Sequence, residues 1–474
     1  MNEVDDSQPL TASVISCGQR RKRNPEAEIW ITRPEFQVRT SYHQRELKQM
    51  TLTLSAVENA FQPSREVEDV ERFAGRKEAV SDSYFGLLSA GSNIAVVGNR
   101  GVGKSSLARQ ILRIATGDNS LLNRLQLPSE DTLDFLSIYL ACGNSTKDVS
   151  DLLTKLITTS SCLRDWIYDI PQAQKEIRTV APGISAGFAG LSASLGGERS
   201  TEVESASAVR THDIESVFLN VCLAIAGQGI AKSGLLIVVD EFDQIGDKSG
   251  AAGLLKSLAT NAPSVKFCIV GVAHDVQNLL KEHGSADRLF AGSVIRLPAM
   301  PDDELTEIVR IAENEIGQAI KFTDEATTRL VSLAQGHPYM VHLVGKYALR
   351  TVYLDRRQIV SEGDVSNALK SMAERAADPV LEGRYKKAIG SSAPREAVLK
   401  SLAAVVQTDG ECWTTDAYKH ALDRGVDNAS QYVGHLVTDD YGAEIEKIRE
   451  RYYRFKDSLF AAYVNARPWQ YSQG

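Results

Sequence analysis

Residues 93–110 read Asn93-Ile-Ala-Val-Val-Gly98-Asn99-Arg100-Gly101-Val102-Gly103-Lys104-Ser105-Ser106-Leu-Ala-Arg-Gln110. A short apolar run, a glycine-rich turn and a polar-apolar helical pattern follow one another, which predicts strand, loop and helix. Gly98, Gly103, Lys104 and Ser105 fit G-x4-G-K-[ST], the phosphate-binding loop. The spacing has a physical reason. Glycines let the backbone curl so that successive N–H groups face one anion. The helix that opens at Lys104 adds the positive end of its dipole. In such a loop the backbone of Asn99, Arg100, Gly101, Val102 and Ser106 lies beside the phosphates. Lys104 suits the β- and γ-phosphates of ATP, and the Ser105 hydroxyl suits Mg2+.

Leu235-Leu-Ile-Val-Val-Asp240-Glu241-Phe-Asp243 is the second element this loop requires. An unbroken apolar run suits a strand covered on both faces of a parallel sheet, and ligands gather at the carboxyl ends of such strands. Asp240 is the candidate Mg2+ ligand, directly or through water. Glu241 is the candidate general base. Asp243 is expected either to face solvent or to stand behind the residues that hold the ion. Leu133 to Ala141 and Val265 to Ala273 read as further buried strands, and Val294 to Leu297 as the last.

The whole chain has 474 residues, 43% hydrophobic and 24% charged, with a formal net charge of −8. That is the composition of a globular protein of two to four domains. It argues against a surface devoted to nucleic acid but allows a local basic patch. The six cysteines are scattered, without a C-x-x-C pair, which excludes a disulfide framework and a zinc site and points to the cytoplasm. No apolar run is long enough for a membrane span.

Residues 1–49 are polar and weakly periodic. They read as a flexible arm or as an extension ahead of a start at Met50. Residues 50–300 hold the α/β core. Within it, about 181–199 is a Gly/Ala/Ser-rich insertion. Residues 301–377 switch to helical periodicity, with Gly336-His337-Pro338 between the second and third helices. Residues 378–392 read as a linker. Residues 393–474 give three helices and a two-stranded wing over 443–456, a winged-helix pattern. Lys447, Arg449, Arg451 and Arg454 gather on the wing, as nucleic-acid contacts would. The third helix carries no Arg or Lys, which is a poor match to a helix that reads base edges.

Over residues 60–474 the chain resembles bacterial AAA+/STAND-type P-loop ATPases near the origin-recognition and replication-initiator branch. The resemblance rests on Phe73-Ala-Gly-Arg76, the two Walker elements, Gly336-x-Pro338 and the C-terminal pattern ending in Arg-Tyr-Tyr-Arg454-Phe. It implies an ASCE-type parallel sheet between helices, an all-α lid and a winged helix. It implies ATP and Mg2+ as cofactors, slow hydrolysis, and a nucleotide-dependent switch acting on a protein or on DNA, with assembly into a homo-oligomer. By the same resemblance Phe73, Arg76 and Pro338 border the base. His274 takes the place of a γ-phosphate sensor, and Arg288 that of a finger reaching a neighbouring subunit. Lys346 and Arg350 lie one and two turns too late on the third lid helix for the sensor arginine of initiators. The alternatives are a replication-initiator-like DNA-binding ATPase and a scaffold that holds nucleotide without turnover.

Overall fold

The structure, a computed structural model, describes residues 21–23, 30–32, 52–178, 191, 214–272, 290, 292–407 and 411–471. Arg21–Arg23 (β1) pairs antiparallel with Trp30–Thr32 (β2). His274, Arg288 and, apart from Leu191, the insertion at 181–199 lie outside the described residues.

Five strands form the central sheet: β3 Ile94–Gly98, β4 Phe135–Ala141, β5 Gly234–Asp240, β6 Val265–Gly271 and β7 Val294–Leu297. Their spatial order is β4-β5-β6-β3-β7, and every pair is parallel. β5 and β6 are buried at every position: β5 is apolar up to Asp240, and in β6 the one charge, Lys266, is satisfied by the Gly86 and Ser92 carbonyls. β6 lies between the two strands that carry the Walker elements, so the end of that strand lies between them too.

Helices cover both faces. On one side, α1 Leu54–Ala60 precedes α2 Lys77–Leu88, which packs with α3 Lys104–Ala115 over Ile94, Val96, Leu236 and Val238. On the other, α4 Val149–Thr158, α5 Ile214–Ala226 and α6 Ala251–Asn261 cover Val97, Leu235, Ile237 and Ile269. Alternate residues of one strand thus feed two separate cores.

The lid follows as α7 Asp302–Glu315, α8 Asp324–Ala334, α9 Pro338–Leu354 and α10 Glu362–Glu374. It is not purely helical. Lys321–Phe322 (β8) and Ile359–Val360 (β9) make a two-residue parallel pair that ties the loops before α8 and α10. The stretch expected as a linker is mostly helix, α11 Pro379–Ile389, capped by Asp378 and burying Leu381, Tyr385 and Ile389. Its apolar face was hidden in the sequence by the charges of Glu382, Arg384, Lys386 and Lys387.

The C-terminal unit has helices α12 Ala393–Ala404, α13 Thr414–Leu422 and α14 Ala429–Leu436, then strands β11 Ile445–Arg449 and β12 Tyr452–Phe455. Glu411–Trp413 (β10) adds a third strand on the far side of β12, where a two-stranded wing was expected. A last helix, α15 Ser458–Ala466, closes the chain. One continuous apolar cluster runs from Val57 and Phe61 through the lid to Phe460 and Val464. No described helix is long and apolar enough to cross a membrane.

Candidate functional site

The phosphate loop begins where β3 ends. A Cβ on Gly98 would meet the Leu297 carbonyl at 2.7 Å, because β7 pairs there. Gly101 and Gly103 take φ values of 75° and 97°, the left-handed region that glycine enters without strain. Gly103 has open space around it. Lys104 Nζ donates to the Asn99 carbonyl at 2.9 Å, which bends the lysine back over its own loop. Burial pulls the Lys104 pKa down, while the charges of Asp243 and Asp240 oppose that shift. Ser106 lines the cleft but its hydroxyl also accepts the Val67 N–H at 3.1 Å.

The acids stand at the tip of β5. Asp240 is 2% exposed. Its Oδ1 accepts the Glu241 N–H at 2.7 Å and its Oδ2 accepts the Tyr139 hydroxyl at 2.7 Å. Glu241 turns the chain with φ at 53° and is exposed. Burial, then the charges of Asp240, Asp243 and Glu66, raise its pKa. Asp243 does not simply face solvent. It is half-buried, lines the cleft with Asp240 and Glu241, and its carboxylate faces Gly271 at the end of β6.

These two groups share one cleft of about 600 Å³. Lys104, Ser105, Asp240 and Glu241 line it at one end, and Phe73, Arg76, Met300, Pro338 and His342 border it as well. The segment 62–67 forms a further wall and is tied to α3 by Gln110, whose side-chain amide donates to the Val67 and Glu68 carbonyls. His342 Nδ1 accepts the Gln62 N–H at 3.3 Å, and burial lowers its pKa to about 4. The ring is therefore neutral, with its proton on Nε2.

Arg76 was expected near the base, and its position joins three parts of the molecule. It sits at φ 60° ahead of α2 and is buried. Its guanidinium donates to the Val102 carbonyl at 2.9 Å, inside the phosphate loop. Its own N–H goes to Glu304 at 2.9 Å, and the Gly75 N–H goes to Glu307 at 2.9 Å, both on lid helix α7. A Cβ on Gly75 would fall 2.2 Å from the Glu304 carboxyl carbon, so glycine is required there. Phe73 is buried with Val70, Val102 and Leu107 and borders the cleft.

The lid and the C-terminal helix reach the same loop. Gly336 has φ 80°, its carbonyl accepts the Met300 N–H, and a Cβ there would meet Ala299 at 2.5 Å. His337 is 3% exposed and lies against the Arg100 and Ser458 backbones. Burial lowers its pKa, opposed by Asp457. Leu459 of α15 packs on Gly101, where an added Cβ would meet it at 3.1 Å. Lys346 and Arg350 both pair with Glu58 of α1 and do not line the cleft.

The residues fit a nucleotide and a divalent ion. Arg76, which lines the cleft, has a buried Nε with no hydrogen-bond partner. Among the described residues no cluster of three or more His, Cys, Asp or Glu could cage a metal by itself. A hydroxyl and a carboxylate, Ser105 and Asp240, suit Mg2+ when phosphates and water complete its shell.

On the wing, Arg449 and Arg454 both pair with Glu411, at 2.9 and 3.0 Å. Lys447 and Arg451 are exposed. Nothing in the sequence placed Glu411 among them, since it lies 43 residues ahead of Arg454 in the chain.

No curated protein sequence matches the chain. Among solved structures, it is similar to the Walker-type ATPase of Pyrococcus abyssi, at 16% identity and a TM-score of 0.49 over 85% of this chain and 98% of that one. It is similar to Cdc6p of Pyrobaculum aerophilum at 10% identity and a TM-score of 0.42, over 86% and 96%. For the ORC2 protein of Aeropyrum pernix the values are 15% and 0.42, over 82% and 93%. The family model described as Novel STAND NTPase 1 matches residues 60–439, most of the chain including the whole cleft. With its parallel sheet, phosphate loop and lid, the chain belongs to the Novel STAND NTPase 1 family.

Proposed function

We propose that the protein is a Mg2+-dependent ATP hydrolase that works as a conformational switch. The observation that carries this reading is one cleft lined by both the curled segment at 100–106 and the acids at the tip of β5. The loop N–H groups and Lys104 bind the phosphates. Phe73, Arg76 and Pro338 border the base. Ser105 and Asp240 would hold Mg2+, which supplies charge neutralisation at the β- and γ-phosphates. Glu241 orients a water and takes its proton. His274 and Arg288 keep their proposed roles, as γ-phosphate sensor and as a finger reaching a neighbouring subunit.

The switch follows from what rests on the loop. Tyr339 of α9 and Leu459 of α15 both lie against Gly101. A change in loop shape on nucleotide binding is felt at once by the lid and by the C-terminal unit, which we read as a winged helix. A protein partner suits that unit better than DNA. Arg449 and Arg454 are spent on Glu411, and α14 carries neither Arg nor Lys.

Glu241→Gln tests the reading. ATP binding should persist while phosphate release falls by about 10² or more. Unchanged turnover excludes Glu241 as the base. Lys104→Ala should abolish binding. Mixing Arg288→Ala with Glu241→Gln subunits should restore part of the activity if the finger acts between subunits.

A further inference from the structure

Tyr139 belongs to no motif, yet it touches the Walker B aspartate. β4 and β5 pair in register, with Tyr139 opposite Val238 and Ala141 opposite Asp240. Residues two apart on a strand share a face, so Tyr139 and Asp240 are diagonal neighbours on one side of the sheet. The Tyr139 hydroxyl donates to Asp240 Oδ2 at 2.7 Å, while Oδ1 is held by the Glu241 N–H. The other surface of the ring carries a second contact. The Arg109 guanidinium lies 3.8 Å from its centroid. Arg109 belongs to α3, the helix that begins at Lys104 and Ser105, and Arg109 Nε is 3.6 Å from Glu68.

We propose that Tyr139 is a positioning residue for the divalent-ion site, holding the Asp240 carboxylate in register with the helix that carries Ser105. The inference rests on the reading of Ser105 and Asp240 as the Mg2+ residues. The physical case is orientation. A carboxylate held at one oxygen can still rotate about its last bond, and a hydroxyl on the second oxygen stops it. The stacked arginine fixes the ring that carries this hydroxyl. Partners that orient a metal ligand change metal affinity by about 10- to 100-fold when removed. The geometry also explains why an aromatic residue with a hydroxyl stands at a strand position that an aliphatic residue would fill equally well for packing.

The test measures binding of a fluorescent N-methylanthraniloyl ATP while Mg2+ is titrated, with an EDTA sample as the metal-free baseline. Tyr139→Phe removes the hydroxyl and keeps the ring under Arg109. Its half-saturating Mg2+ concentration should rise about 10-fold or more, with EDTA-baseline affinity and melting temperature unchanged. Arg109→Gln should move the Mg2+ midpoint in the same direction by less. An unmoved midpoint in Tyr139→Phe overturns the proposal. So does a loss of affinity that is equal with and without Mg2+, which marks a purely structural bond. Asp240→Asn separates the two failures. If it shifts the Mg2+ midpoint while Tyr139→Phe does not, only the role of Tyr139 falls. If neither variant shifts it, the assignment of the ion site falls as well.

Discussion

The guanidinium of Arg76 donates to the carbonyl of Val102, and so the segment before α2 holds the phosphate loop from behind. The same residue hangs from lid helix α7 through Glu304. Arg76→Ala leaves a buried carbonyl without a donor, which costs about 1–3 kcal/mol. The variant should melt earlier and bind ATP more weakly by about 10-fold, as read by thermal shift and nucleotide titration. Glu304→Gln, which keeps an acceptor for the Arg76 N–H, should do much less.

Gly101 and Gly103 share the left-handed backbone but differ in surroundings. Gly101 carries Leu459 and Tyr339 against it, whereas Gly103 faces open space. Both alanine substitutions should weaken ATP binding, because both strain the loop. Only Gly101→Ala should also loosen α15. Limited proteolysis of the C-terminal unit without nucleotide should therefore be faster in Gly101→Ala and unchanged in Gly103→Ala.

Asp364 caps α10 and accepts from Arg357 and from the Ser361 N–H. The hydrogen bond from Arg357 is the main reason its pKa falls to about 2, opposed by burial. The folded-state pKa lies below the unfolded one, so this stabilisation is present at neutral pH and is lost as the pH falls from about 4 through about 2. Asp364→Asn should lower lid stability at pH 7 by about 1–2 kcal/mol. Denaturant titrations should show the difference between variant and parent shrinking across that acid window.

Glu411 sits between Arg449 and Arg454. Glu411→Gln removes the carboxylate shared by Arg449 and Arg454, leaving Arg454 only the longer contact with Glu446 at 3.9 Å. If the parent protein binds duplex DNA weakly, the variant should bind it more tightly, with a salt dependence steeper by about one to two. The measurement is fluorescence anisotropy across a salt series. An unchanged slope means that the wing does not meet phosphates.

The sheet and its two Walker elements were legible because each is a local pattern: glycine spacing on one side, an apolar run ending in acids on the other. The covered faces follow from the same runs, whereas the strand order comes only from the folded structure. What sequence did not display are contacts between residues far apart in the chain. Tyr139 looks like any strand aromatic until β4 is laid beside β5. Asp243 looks like a loop acid until β6 brings Gly271 against it. The helix at Ser458–Ala466 is not read separately within the last unit, since its partners are the lid and the phosphate loop and not its neighbours in sequence. The carboxylate that pairs with Arg449 and Arg454 was equally out of view, because it arrives on β10. The linker helix α11 was masked by its charges, of which Arg384 is bound to Glu444 and Asp457 and stacked on Phe460.

The unbroken apolar mass that joins the lid to the C-terminal unit has a mechanical meaning. Two bodies that share one interior cannot slide past each other without opening it to water, so they travel together. A small tilt of α9 where it meets the phosphate loop is then carried as a rigid stroke to the far hairpin. Under the proposed switch the chain would work as a lever whose short arm ends at the nucleotide and whose long arm ends at whatever the hairpin touches.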